Sequence, residues 1–260
     1  MSMVLRSWAA TDAGPRRSHN EDAFVDRPDL GLWAVADGAG GHDAGEVASG
    51  MIAGTLGAIP PGLDAADALN EIRTRVGAVH LALLSKAAAR GPDVIIASTA
   101  VIVCARGMHY ACLWAGDSRA YLFSGEALTQ ITHDHSLVQE LVDAGDISPE
   151  AAEHHPHANI VTRAVGAGGE NEFMLDKLTD QLQPGERILL CSDGLTKTVP
   201  EAVIAAMLAD STDNPARRLV AAALERQASD NVTAVVIEAC ETADDADDAG
   251  DAGDAGDAAQ

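Results

Sequence analysis

Aspartates beside glycine or asparagine recur at four widely separated places in this 260-residue chain: Asn20-Glu21-Asp22, Asp37-Gly38-Ala39-Gly40-Gly41-His42, Ser192-Asp193-Gly194 and Asp230-Asn231. Taken singly each is weak, because Asp-Gly is a common turn and Asp-Asn a common cap. Together they say more. Asp37, Asp193 and Asp230 each stand at the edge of an apolar run, where a strand end can aim a carboxylate into a shared cleft. Two unit charges 4 Å apart repel by roughly 4 kcal/mol at an effective dielectric near 20, so such a cluster needs cations. Oxygen ligands without thiolate select hard divalent ions, Mg²⁺ or Mn²⁺, and two of these about 3.5–4 Å apart prepare a water for in-line attack on phosphorus. The pattern points to metal-dependent hydrolysis of a phosphate ester.

The elements that must carry these residues alternate in blocks. Gly31 to Ala36 is a short apolar run ending at Asp37, which predicts a buried strand feeding a loop. Residues Ala44 to Leu56 and Ala65 to Ala89 have helical spacing, with Asp64 as N-cap of the second. Val94 to Cys104, His109 to Ala115, Arg119 to Phe123 and Ala127 to Ile131 read as strands joined by short turns, hence as antiparallel hairpins. Two short helices follow over Ser136 to Ala144 and Pro149 to His155. A strand is expected at Arg187 to Cys191, helices at Pro200 to Leu208 and Pro215 to Gln227, and a last strand at Val232 to Ile237. Antiparallel strands interrupted by helix pairs imply a layered α+β sandwich.

Composition narrows the function. With 47% hydrophobic residues the chain can build one large core. No run reaches the ~20 apolar residues that span a bilayer, and the first residues lack the pattern of a secretory leader, so a cytoplasmic protein without membrane insertion is expected. Cys104, Cys112, Cys191 and Cys240 are widely spaced, three of them inside apolar runs, which argues against a disulfide framework or a zinc site. A net charge of −23 disfavours nucleic acid as a partner. Part of that charge lies in residues 241–260, whose Asp-Ala-Gly units contain no large apolar residue. That tail should be disordered, beside a catalytic domain over residues 1–240.

Six segments in order, Arg17-Ser18-His19-Asn20-Glu21-Asp22, Val35 to His42, Ala97-Ser98-Thr99-Ala100, Ala115-Gly116-Asp117-Ser118-Arg119, Cys191-Ser192-Asp193-Gly194 and Ser229-Asp230-Asn231-Val232-Thr233, resemble the motifs of the metal-dependent (PPM, type 2C) protein serine/threonine phosphatases. The resemblance spans about Arg6 to Ile237. It implies a four-layer α-β-β-α sandwich of two antiparallel sheets flanked by helices, with a two-metal centre at one end. Asp37 would bridge both metals while the Gly38 carbonyl ligates one, Asp193 and Asp230 would complete the protein ligands of one metal, and Asp22 would reach the centre directly or through water. Glu21 and Asn231 would lie beside the metals, and Asp117 would hold a third, weaker ion with Asp193.

Metal coordination lowers the pKa of water towards neutrality, so phosphorus can be attacked without a protein nucleophile. Arg17 offers a planar fork for phosphate oxygens. Arg16 competes for that role, but the family spacing places the arginine three residues before Asn20. His42, after the glycine loop, is the candidate general acid for the leaving alkoxide. The histidines of His133-Asp134-His135 and His154-His155-Pro156-His157 fall in a segment resembling the family's mobile flap and are expected on its surface. The implied partners are phosphorylated proteins and a cognate serine/threonine kinase, the implied form a monomer, and the stretch Asp22–His42 resembles members tied to type VI secretion. A non-catalytic binding module on the same fold would be expected to lack metal ligands, and here every family metal position is filled.

Overall fold

The computed structural model describes residues 3–41, 44–171, 173–210 and 214–241. Side-chain alternation sets its layers. In β3 (Leu32–Gly40), Leu32, Ala34 and Ala36 pack towards helices, while Trp33 and Val35 face the opposite way into a second sheet. The same division runs along β5 (Ala100–Arg106), where Ala100, Ile102 and Cys104 join the helical side and Val101 and Val103 the inter-sheet side.

One sheet has the order β2 (Asp22–Arg27), β3, β5, β6 (His109–Ala115), β9 (Asp176–Gln181), with β4 (Ile96–Ser98) paired to β3. The other has the order β1 (Met3–Asp12), β11 (Val232–Glu241), β10 (Arg187–Cys191), β7 (Arg119–Ser124), β8 (Ala127–Gln130). Every pairing is antiparallel. Trp33, Val101, Val103 and Cys112 from one sheet meet Ile188, Leu190, Val235 and Ile237 from the other to form the central core. The helices α1 (Ala44–Gly57) and α2 (Ala65–Arg90) cover the first sheet, and α6 (Glu201–Ala209) and α7 (Pro215–Glu225) the second. The expected α-β-β-α sandwich is the observed architecture.

Local chemistry fixes several boundaries. Asp64 accepts a hydrogen bond from the Asp67 amide at 2.8 Å and caps α2 as expected. Ser136 and Ser148 cap the short helices α3 (Leu137–Asp143) and α4 (Pro149–Glu153) in the same way. The expected strand Val94 to Cys104 is two strands, β4 and β5, parted at Thr99. There the chain leaves its ladder to bond Asp37. β1, β2 and β9 were not expected, and a single turn of helix, α5 (Asp193–Thr196), follows Ser192. The anticipated disordered tail lies outside the described residues.

Candidate metal centre

Strand pairing brings the first two aspartates together. Asp22 and Asp37 are register partners across β2 and β3. Asp37 is positioned by Thr99, whose hydroxyl accepts from the Asp37 amide at 3.0 Å and whose own amide donates to the Asp37 carbonyl at 2.8 Å. The same Thr99 hydroxyl is 2.7 Å from that of Ser118, beside Asp117, so one contact ties the Asp37 strand to the turn carrying Asp117. That turn is clamped by His135, whose amide donates to the Gly116 carbonyl and whose Nδ1 accepts from the Gly116 amide at 3.1 Å.

The second sheet delivers the rest. β10 ends at Cys191, Ser192 follows, and Asp193 opens α5. Ser192 Oγ and Thr233 Oγ1 both donate to Asp22 Oδ2 at 2.7 Å, joining the two sheets through one carboxylate oxygen. Behind Thr233 stands Thr11 at 2.7 Å, which in turn accepts from Asn20 Nδ2. Asn231 acts as a spacer: its Oδ1 accepts from the Glu21 amide, and its Nδ2 donates to the carbonyls of Ala13 and His19. It thereby holds the Asn20-Glu21-Asp22 segment against the Asp230 loop. Glu21 points its carboxylate at Gly45 in the first turn of α1, the helix end that favours negative charge.

The resulting electrostatics are those of crowded acids. Burial, outweighing the two hydroxyl donors, and the charges of Asp193 and Asp230 push Asp22 up to about 7. Burial and Asp193 push Asp117 to about 7 as well, against the opposing pull of Lys197. Asp37 is held well above the usual carboxylate range by burial and by Asp22, Asp193, Asp117 and Asp230. Among the described residues, two buried carboxylate oxygens, Asp22 Oδ1 and Asp193 Oδ1, have no hydrogen-bond partner. Such an atom carries the full cost of lost hydration.

Among the described residues, no three His, Cys, Asp or Glu side chains stand together as a ready-made metal-holding group. The contacts explain this. Asp22 turns one oxygen to the two hydroxyls, Arg17 Nη2 draws Asp230 Oδ2 to 2.7 Å, and the Lys197 ammonium holds Asp193 Oδ2. The acids are thus spread onto protein donors, while the two unpartnered oxygens and the mutual charge effects are what a divalent ion would satisfy. The donor set, oxygen alone, fits Mg²⁺ or Mn²⁺.

Of the residues singled out from sequence, Asp22, Asp37, Asp117, Asp193 and Asp230 come together in one cluster, whose charges act on Asp22, Asp37 and Asp117, and Gly38 follows Asp37. A Cβ on Gly38 would collide with the Gly45 carbonyl, so glycine lets β3 pass close under α1. Arg17 reaches the cluster through Asp230; His42 lies outside the described residues. His133 is exposed and pairs with Asp143, whereas His135 is buried, with Nε2 3.1 Å from Asp176, and is part of the scaffold and not of a flap surface. Sequence reasoning missed Ser192, Thr233, Thr11 and Lys197. Ser192 and Thr233 lie inside the recognised motifs, and only the pairing of β10 with β11 shows that both face Asp22. A cavity of about 640 Å³, lined by Leu69, Cys104, Arg106, His109, Tyr110 and Gln181 among others, opens at the opposite end of β5 and β6 and shares no residue with the cluster. Among the described residues, no helix is long and apolar enough to cross a membrane.

Comparison with known proteins agrees with this fold. Residues 15–234 match the family model described as protein phosphatase 2C. The serine/threonine protein phosphatase PstP of Mycobacterium tuberculosis is 36% identical over 240 residues, 92% of this chain but 46% of that protein. The chain thus spans about half the length of this curated relative. Among solved structures, PppA, described as a key regulatory component of T6SS in Pseudomonas aeruginosa, is 41% identical with a TM-score of 0.83, covering 91% of this chain and 98% of that one. The catalytic domain of PstP in complex with two manganese ions is 34% identical with a TM-score of 0.80, covering 92% of this chain and 100% of that one.

Proposed function

Because this chain belongs to the protein phosphatase 2C family, we propose that it removes phosphate from phosphoserine and phosphothreonine in proteins at a centre of two divalent ions, Mg²⁺ or Mn²⁺. Asp37, the Gly38 carbonyl, Asp193 and Asp230 would hold the ions, with Asp22 reaching them directly or through water and Asp117 joining Asp193 at a third, weaker position. The observation that carries this reading is the pair of buried oxygens on Asp22 and Asp193 that have no partner among the described residues, set among carboxylates whose charges raise the proton affinity of Asp22 and Asp37. Bound there, the ions would neutralise the acids and make water nucleophilic near neutral pH.

The protein's own residues supply the rest. Arg17 stands at the rim, half exposed, and its guanidinium can exchange Asp230 for two phosphate oxygens. Ser192 and Thr233 fix the rotamer of Asp22, and Thr99 fixes the backbone of Asp37. His42 is our candidate for protonating the leaving alkoxide, and Glu21 and Asn231 orient the segments that present the ligands. We assign the catalytic unit to residues 1–240 and expect a cytoplasmic monomer opposing a serine/threonine kinase. The likeness to PppA supports a place beside type VI secretion.

Purified protein supplied with Mn²⁺ should release phosphate from phosphoserine and phosphothreonine peptides, with much lower turnover on a phosphotyrosine peptide of the same sequence. Equal turnover on all three, or none on any, would refute the substrate assignment.

A further inference from the structure

Lys197 carries a cation into this cluster that the proposed reaction does not use. It lies one helical turn beyond Asp193, and its ammonium donates to Asp193 Oδ2 on one side and to Asn159 Oδ1, at 2.6 Å, on the other. Asn159 belongs to the excursion between β8 and β9. Within that excursion the Leu137 amide bonds the Ile160 carbonyl and the Thr162 amide the His135 carbonyl, and the excursion is laid against this end of the sandwich by the His135 amide bonding the Gly116 carbonyl and by the paired backbone bonds of Val165 and Ser98. Among the described residues the other hydrogen bonds of residues 155–162 stay within the excursion, so a single ammonium joins this loop to a carboxylate of the centre. The lysine's charge also acts on Asp117 and Asp37.

A lysine ammonium is a compact point charge and takes up carboxylate oxygens that a divalent ion would also take. Asp193 is the more buried partner, its side chain 16% exposed against 41% for Lys197, so the lysine is the member free to swing out. We propose that Lys197 is a positioning residue that competes with the divalent ion for the Asp193 carboxylate and ties the Asn159 loop to it, so that metal binding frees the loop. The proposal rests on the reading of Asp193 as a metal ligand.

The test is a calorimetric Mn²⁺ titration of the metal-stripped full chain without substrate, paired with amide hydrogen exchange over residues 157–161. Lys197→Met should bind Mn²⁺ about fivefold more tightly in the weakest resolved event, the size expected of a half-exposed ion pair. Lys197→Arg should stay within twofold of the parent protein. Loop exchange should be faster in metal-free Lys197→Met than in the metal-free parent, and adding Mn²⁺ should accelerate it in the parent. Unchanged Mn²⁺ affinity in Lys197→Met, or loop exchange indifferent to both the substitution and the metal, would overturn the proposal. Asp193→Asn separates the two levels: if it keeps full Mn²⁺ binding, the ligand assignment fails, and if it loses binding while Lys197→Met behaves as the parent, only the role of Lys197 fails.

Discussion

Asp22 shows how finely a single carboxylate is balanced. Its Oδ2 receives two hydroxyl donors that favour the ionised form, yet burial outweighs them and its proton affinity rises to about 7. Removing one donor should tip it further. Ser192→Ala is expected to move the pH midpoint of Mn²⁺ binding upward and to lower activity at neutral pH by about tenfold, the effect typical of losing a group that orients a metal ligand. A pH series of Mn²⁺ titrations checks this, and an unchanged midpoint would show that Ser192 does not govern Asp22. At Arg17, alanine should raise KM for a phosphothreonine peptide by about tenfold, and lysine should restore it only in part, because a point charge does not reproduce a fork. Steady-state kinetics of the two variants decide the matter. The aspartates themselves were legible as residues, since glycine or asparagine beside an acid at the end of an apolar run is a local signal. The hydroxyls and Lys197 were not, because serine, threonine and lysine near a turn have many ordinary explanations, and only their partners distinguish them.

At the level of elements, the parts buried on both faces were readable. β6 and β10 were found with their observed limits because nearly every residue is apolar and buried. β9, Asp176–Gln181, is an edge strand with one large apolar residue, Leu178, and carries no periodic signal. β1 sends Trp8 and Ala10 to one core and Leu5 and Ala9 to another, yet all four are only partly buried, so its alternation is faint. The consequence for the site was large: without β1 and β2 there is no register that sets Asp22 opposite Asp37 or Thr11 beside Thr233. Close packing between elements also explains a glycine. A Cβ on Gly194 would drive into the Asn231 carbonyl, the loop that carries Asp230. Gly194→Ala should cost about 1–3 kcal/mol, the usual penalty of overpacking, read as a lowered urea midpoint with an unchanged m-value.

Across the whole molecule, two sheets from distant parts of the chain meet at a concentration of negative charge, and that couples folding to protons and to metal. Asp22 and Asp117 titrate near 7 in the fold against an ordinary 3.8. The metal-free folded protein therefore holds protons that the unfolded chain has released between about pH 4 and 7. The contribution of these two groups to stability is greatest on the acid side of that window and is lost as pH rises through 7. Divalent ions replace those protons, so the gain in Tm on adding Mn²⁺ should be larger at pH 8 than at pH 6. Thermal unfolding at the two pH values, with and without Mn²⁺, tests the coupling, and an equal gain at both would argue against it. The most direct measurement of the central claim is phosphate release from a phosphothreonine peptide by EDTA-stripped protein as Mn²⁺ is added back. Turnover should be absent in EDTA, return with Mn²⁺, and fall at least about a hundredfold in Asp193→Asn, whereas undiminished turnover in EDTA would contradict a metal centre built from these aspartates.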